Sequence, residues 1–349
     1  MTGESETRRE YEVVVVGGGP AGLTAALYTT RLGHETAVVD RGGGRAAMML
    51  ETHNVIGVPE DVSGNEFLET ARRQVEAYGC DRHTDLVTAA ERLDDGRVRL
   101  DGADATYVAE RVVLATGFTD RRADPPLPRT GRGLHYCLHC DAYMFVDEPV
   151  YVMGHSDAAA HVAMIMLNYT ADVDLLTRGA APEWSEETAD LLAAHPVDVI
   201  ETDVDGLRKR DDGWLEAFEF ADGSVREYKG GFAMYGSDYN TDLAADLGCD
   251  LNADGTIAVD DHGRTSVDGV LAVGDVTPGH NQIPVAMGQG AQAGIAVHMD
   301  LRAFPRDLDR IREEGPVAPE EVPGMDADLR ATARAYNRGE DAPEASADD

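Results

Sequence analysis

Lysine is almost missing from this chain. Of its 349 residues only Lys209 and Lys229 are lysines, and 65 acids stand against 30 bases, for a formal charge of -35. There is no basic stripe to meet a phosphate backbone, which excludes nucleic acid as a partner. The acid excess would self-repel in dilute buffer, yet it stays hydrated where salt is molar and the Debye length shrinks to about 3 Å. We read it as a halophilic surface, suited to a high-salt interior. No run approaches eighteen uninterrupted apolar residues, and the opening MTGESETRRE has neither the apolar stretch of a signal peptide nor a transit-peptide composition. The reading is therefore cytoplasmic, with no membrane. Cysteine is scarce as well, being limited to Cys80, Cys137, Cys140 and Cys249. A secreted scaffold would carry more, so a reducing compartment is expected, with Cys80 and Cys249 as small buried residues or unreactive thiols.

What is present supports two domains, each with its own core, since 43% of the residues are hydrophobic. Residues 11–40, YEVVVVGGGPAGLTAALYTTRLGHETAVVD, open with an apolar, β-branched run that reads as a fully buried parallel strand. A glycine turn follows, then a segment of helical composition closed by a glycine, then a short strand ending in Asp40. Gly17, Gly19 and Gly22 form G-x-G-x-x-G directly after the first strand. The first allows a tight turn, the second lets backbone approach a pyrophosphate, and the third lets the helix pack closely on the sheet. The helix start at Pro20 and Ala21 presents unpaired N–H groups to the anion, and Asp40 is placed to accept from a ribose hydroxyl. All the parts fall in order, which predicts dinucleotide binding.

Residues 111–117, RVVLATG, and 270–276, VLAVGDV, are two more buried strands, ending in Ala115, Thr116 and Gly117 and in Gly274 and Asp275. Between them, residues 150–178 repeat the strand, turn, helix, strand order of the first unit. The expected fold is α/β, with two Rossmann-like dinucleotide-binding domains, one inserted in the other. Crossings are expected near 124–133 and 235–239. The first domain is expected over 8–125 and 240–311 and the inserted one over 126–239. An acidic C-terminal appendage, 312–349, is expected to hold one short helix over DADLRATARAYN and a disordered end.

The stretch HYCLHCDAYMF, residues 135–145, holds Cys137 and Cys140 between histidines, with Asp141 next. Zinc would need all four of Cys137, Cys140, His135 and His139, and ligands so close in sequence would rarely close a tetrahedron. No metal is therefore expected. A structural staple across so short a loop would constrain the unfolded chain little. Redox chemistry suits the spacing better. A C-x-x-C pair can carry a lowered thiol pKa and can present one sulfur outward while the other resolves the mixed disulfide, and Asp141 supplies a proton donor for the leaving thiolate. His135 and His139 read as solvated loop residues, with His139, when cationic, favouring the thiolate.

The order GGGPAG, ATG, C-x-x-C-D, a second nucleotide-like unit and GDV resembles the low-molecular-weight thioredoxin reductases, the class II pyridine nucleotide-disulfide oxidoreductases, over roughly residues 11–300. The resemblance implies bound FAD. It adds Arg41, Gly43, Gly44, Arg45 and Asn54 as contacts in the loops after the second strand, and Asn281, Gln282 and Ile283 beside the flavin ring. It also implies that Cys140 faces the flavin, that Cys137 is the interchange thiol, and that the inserted domain rotates to alternate the pair between flavin and partner. The chain is expected to be a homodimer, its partner a thioredoxin- or glutaredoxin-like protein.

The second unit departs from the family pattern. NADPH would need G-x-G-x-x-A and three arginines, whereas this chain offers Gly154, His155, Ser156 and Ala159, then Thr177, Arg178, Gly179 and Glu183. That argues against NADPH, less strongly against NADH, and leaves reduced ferredoxin or another flavoprotein as donor. Two other functions stay open at this point: an FAD-dependent dithiol oxidase using oxygen, and a non-catalytic flavin redox sensor.

Overall fold

A computed structural model describes residues 7–124 and 126–339. The acidic end expected to be disordered lies outside the described residues. The described residues divide into two units, the first within 7–47, 64–118 and 239–339, the second within 48–63 and 119–238.

The first unit begins with β1 (Arg8–Val16), α1 (Pro20–Arg31), β2 (Thr36–Val39), α2 (Gly64–Ala77) and β3 (Asp81–His83). It continues through β4 (Val87–Arg92), β5 (Val98–Gly102) and β6 (Thr106–Leu114), and β7 (Phe118–Asp120) spans the boundary at which the second unit begins. Val13 to Val16 are buried because β1 lies between β2 and β6, parallel to both, so each face of the strand is covered. β6 is long enough to serve two further neighbours. Its first half pairs antiparallel with β5, and its second half runs parallel to a late strand.

The second unit carries β8 (Leu134–His135), α3 (Leu138–Asp141), β9 (Val150–Met153), α4 (Asp157–Met166), β10 (Val173–Leu176), α5 (Glu186–Ala194) and β11 (Asp198–Ile200). An antiparallel sheet of β12 (Val204–Lys209), β13 (Leu215–Phe220) and β14 (Val225–Glu227) follows, then β15 (Gly230–Ala233) and β16 (Ser237–Tyr239). Its main sheet runs β11-β10-β9-β15-β8, parallel throughout. The repeat read from the sequence is thus realised: β9, α4 and β10 follow the plan of β1, α1 and β2.

The chain returns to the first unit as α6 (Asp242–Asp246), β17 (Val270–Ala272), α7 (Ile283–Arg302), α8 (Leu308–Glu314) and α9 (Ala327–Arg338). β17 completes a sheet ordered β3-β2-β1-β6-β5-β4 by pairing with the end of β6. The tail helix α9 is docked. Asp326 caps its N-terminus, Leu329 and Ala335 are buried, and Tyr336 packs on Tyr78 with ring centroids 4.6 Å apart. Among the described residues no helix is long and apolar enough to cross a membrane.

Candidate active site

In the first unit the strand ends β1, β2, β6 and β17 converge on one edge of the sheet, where the ligand crevice of an open parallel sheet forms. Gly17 has φ +111, and a Cβ there would sit 2.3 Å from the Ala115 carbonyl oxygen; one on Gly22 would sit 2.0 Å from the Gly17 oxygen. Both glycines are therefore dictated by packing. Gly19 is different: it is the N-cap of α1 with no side-chain cap, and nothing lies within 4 Å of its missing Cβ. The helix start is open, its N–H groups free of a capping side chain, and Pro20 stands in the first turn where its lack of N–H costs nothing. Asp40 folds over Gly18 and lies 3.6 Å from Arg72. These residues fit a dinucleotide phosphate and its ribose.

The other strand ends support the same edge. Thr116 donates its hydroxyl to the Asn240 carbonyl at 2.7 Å, and the Asn240 amide returns a bond to the Thr116 carbonyl at 2.8 Å. Gly274 approaches Ala21, where a Cβ would lie 2.8 Å from the alanine methyl, and its N–H donates to Gln289 at 2.9 Å. Asp275 follows at a partly buried position, and Asn281, Gln282 and Ile283 form the partly buried entrance to α7, Gln282 being its N-cap. Arg41 and Gly44 are exposed on the loop after β2, and the Arg45 guanidinium lies 4.9 Å from the Phe118 ring centroid. Asn54 falls on the exposed part of segment 48–63, which belongs to the second unit. The Asn240 and Gln289 contacts left no motif in the sequence.

In the second unit Cys137 and Cys140 form a disulfide, with Cα atoms 5.3 Å apart. Cys137 is the N-cap of α3, and its Sγ accepts the Cys140 N–H at 3.1 Å. A thiolate on Cys137 would keep that donor. Asp141, one residue beyond Cys140, accepts from or donates to His135 Nδ1 at 2.8 Å. His139 is exposed, as read from the sequence, whereas His135 is not: it sits on β8, only 6% exposed, with Phe145, Phe232 and Trp214 around it. The reading of His135 as a solvated loop residue is corrected. Parallel pairing with β15 carries it under the sheet edge, a contact that no local pattern reveals.

The other two thiols differ from this pair. Burial pushes Cys80 up to about 12 and raises Cys249 as well. Native, reduced protein is thus expected to expose two fast-reacting thiols to an aromatic disulfide reagent and all four only after denaturation. Fast reaction of a third thiol in the native state would contradict this.

The second nucleotide-like turn is built otherwise than the first. Gly154 keeps the tight turn, but Ser156 caps α4 with its own hydroxyl, facing the Ala159 N–H at 3.5 Å. Asp157 places a carboxylate in the first turn of that helix. Hydrogen bonds from the Thr188 hydroxyl and the Ser185 amide hold it below the usual carboxylate range, so it is charged at neutral pH. Arg178, 9% exposed, is spent on Asp203 at 3.2 Å and on the Asp124 carbonyl at 2.7 Å. The Glu183 N–H donates to the His155 carbonyl at 2.7 Å, bringing a second acid to the turn. The start of α4 thus carries its own side-chain cap and a negative charge, where the start of α1 has neither. The sequence analysis did not single out Asp157.

An open dinucleotide edge in one unit and a C-x-x-C disulfide followed by Asp141 in the other define a flavin-dependent thiol–disulfide oxidoreductase. The chain belongs to the family of pyridine nucleotide-disulphide oxidoreductases, whose model matches residues 11–290. It is 31% identical to a thioredoxin reductase of Peptoclostridium litorale over 82% of this chain and 95% of the relative. It is 34% identical to a Pseudomonas putida alkyl hydroperoxide reductase component, over 83% of this chain but 58% of that longer protein. Among solved structures, a thioredoxin reductase from Streptococcus pyogenes superposes with a TM-score of 0.78 at 29% identity, covering 84% of this chain and 99% of the other. The expected α/β architecture and the family are thereby established, and the chain is an FAD-dependent disulfide oxidoreductase.

Proposed function

We propose that the protein reduces the disulfide of a thioredoxin- or glutaredoxin-like partner through Cys137 and Cys140, and that its electrons do not come from NADPH. The first unit would hold FAD through Gly17 to Gly22, Asp40, Ala115 to Gly117, Gly274 and Asp275; when bound, FAD supplies a two-electron couple. The rest of the work falls to residues of this chain. Cys137, with the Cys140 N–H directed at its sulfur, is the thiol suited to attack a partner disulfide. Cys140 resolves the mixed disulfide, and Asp141 beside it holds the proton that Cys140 gives up.

The observation that carries this reading is the Cys137–Cys140 disulfide at the start of α3, with Cys137 Sγ accepting the Cys140 N–H and Asp141 following Cys140 in the chain. The donor reading rests on the charged start of α4 and the engaged Arg178. A reduced ferredoxin or a second flavoprotein, neither needing a nucleotide seat, fits better. To test the exchange, the flavin-loaded protein is reduced with dithionite, freed of reagent and mixed anaerobically with an oxidised thioredoxin-like protein. New thiols on the partner are expected; none appearing would overturn the reading.

The acid excess leads us further to propose a salt-rich cytoplasm as the working environment. The unfolding midpoint is then expected to climb by roughly 10 °C or more between dilute buffer and about 3 M KCl, as screening removes self-repulsion. A midpoint that falls with salt would contradict it.

A further inference from the structure

We propose that His135 is a positioning residue of the exchange reaction, which holds the Asp141 carboxyl and shares with it the proton released by Cys140. This rests on the dithiol–disulfide reading above and deepens it.

The ring of His135 is enclosed by Phe145, edge-on at 5.2 Å between centroids, by Phe232 at 6.1 Å and by Trp214 at 6.4 Å. Such a wall needs a ring but no nitrogen. Phenylalanine would fill it without the cost of His135 Nε2, which is buried with no hydrogen-bond partner among the described residues. What imidazole adds is the 2.8 Å contact from Nδ1 to Asp141 Oδ2. With Nδ1 tied to the carboxyl and Nε2 unpartnered, the imidazole is hydrogen-bonded, among the described residues, to Asp141. Asp141 is the titratable group in hydrogen-bond contact with it. Arg132 and Lys229 stand one ring further out, 5.8 and 5.7 Å from the Trp214 centroid, while β15 and the segment after α3 present apolar Phe232 and Phe145.

The chemistry closes without a further reagent. The Cys137 thiolate attacks one sulfur of the partner disulfide, the partner S–S bond breaks, and its second sulfur leaves as a thiolate that takes the proton Cys137 had lost. The Cys140 thiol then passes its proton to the Asp141–His135 pair and, as thiolate, attacks Cys137. The Cys137–Cys140 bond forms, the mixed disulfide breaks, and the expelled partner thiolate takes the proton from the pair. Two electrons and two protons have moved from the enzyme dithiol to the partner disulfide. Because Asp141 borders solvent at 22% exposure while His135 does not, the pair can keep its proton near Cys140 between the two steps.

The test is single-turnover oxidation of the prereduced holoprotein by an aromatic disulfide, between about pH 5 and pH 9. The variants are His135→Gln, Asp141→Asn and the double substitution. His135→Gln keeps a donor for Asp141 but cannot hold a proton. Each single variant is expected to slow closure of the disulfide by about 10²-fold. The double variant should be slowed no further, and all three should share one pH–rate curve, distinct from that of the wild type, as groups acting as a unit do. His135→Phe, which preserves the aromatic packing, should fall on that same curve, so a fold defect in the Gln variant leaves the test intact. Effects that multiply in the double variant, or a His135→Gln curve superimposable on the wild-type curve, would overturn the proposal. Cys137→Ser separates the two levels: if it exchanges at the wild-type rate the dithiol reading itself fails, whereas if it is inert and the His135 variants behave as wild type, only the role of His135 falls.

Discussion

Cys140→Ser is expected to fold and keep its flavin yet lose catalytic reduction of a protein disulfide by on the order of 10³-fold or more, as removal of an essential nucleophile does. The loss has a signature. Cys137, retaining the N–H donor at its sulfur, still attacks the partner, but the serine hydroxyl cannot displace the partner sulfur, so a covalent complex accumulates. Cys137→Ser should be equally inactive without forming that complex, because the sulfur that leads the attack is gone. A non-reducing gel after mixing with an oxidised thioredoxin-like protein reads the difference directly. Complex formed by Cys137→Ser and not by Cys140→Ser would reverse the two roles.

The second large effect concerns the donor. NADPH is expected to bleach the flavin at least about 10²-fold more slowly than a dithiol does. Losing two charge-assisted contacts to the 2′-phosphate, each worth about 1.5–3 kcal/mol, costs about 3–6 kcal/mol, or roughly 10² to 10⁴ in affinity. The surviving arginine does not make up the difference, since Arg178 is held by Asp203 and the Asp124 carbonyl. On the reading proposed above, Asp157 adds a negative charge at the start of α4 that disfavours a pyrophosphate there. NADH escapes the first penalty but meets the second, and should also be slow. The check is stopped-flow absorbance of the oxidised flavin with each donor under nitrogen; rapid bleaching by NADPH at low micromolar concentration would show that the second turn binds nucleotide despite its charge.

The parts of the fold that were legible in the sequence are those built from neighbours in the chain. Val13 to Val16, the glycine turn, α1 and Asp40 form one contiguous βαβ unit whose glycine spacing reports the turn, although Gly17 is also held to glycine by the remote Ala115 carbonyl. The repeat at β9, α4 and β10 was visible for the same reason. The double duty of β6 was not, because the strand that pairs with its second half, residues 270–272, is remote in the sequence. Among the site residues, Cys137, Cys140 and Asp141 announced themselves by spacing. His135 did not: its burial is set by β15 and by Phe145, Trp214 and Phe232, so a residue that looks like loop in sequence lies inside the sheet edge. Asp157 was hidden differently. An acid in a first helical turn is ordinary, and its bonds from Ser185 come from a segment 28 residues further along the chain.

The central claim is that the Cys137–Cys140 pair carries electrons between the flavin and a protein dithiol or disulfide. It is tested most directly by following the visible flavin spectrum under nitrogen as a dithiol is added to the wild type and to Cys140→Ser. Bleaching of the wild type, with the variant remaining yellow over the same period, is the predicted result. Equal bleaching of both proteins would mean that electrons reach the flavin without passing through the pair.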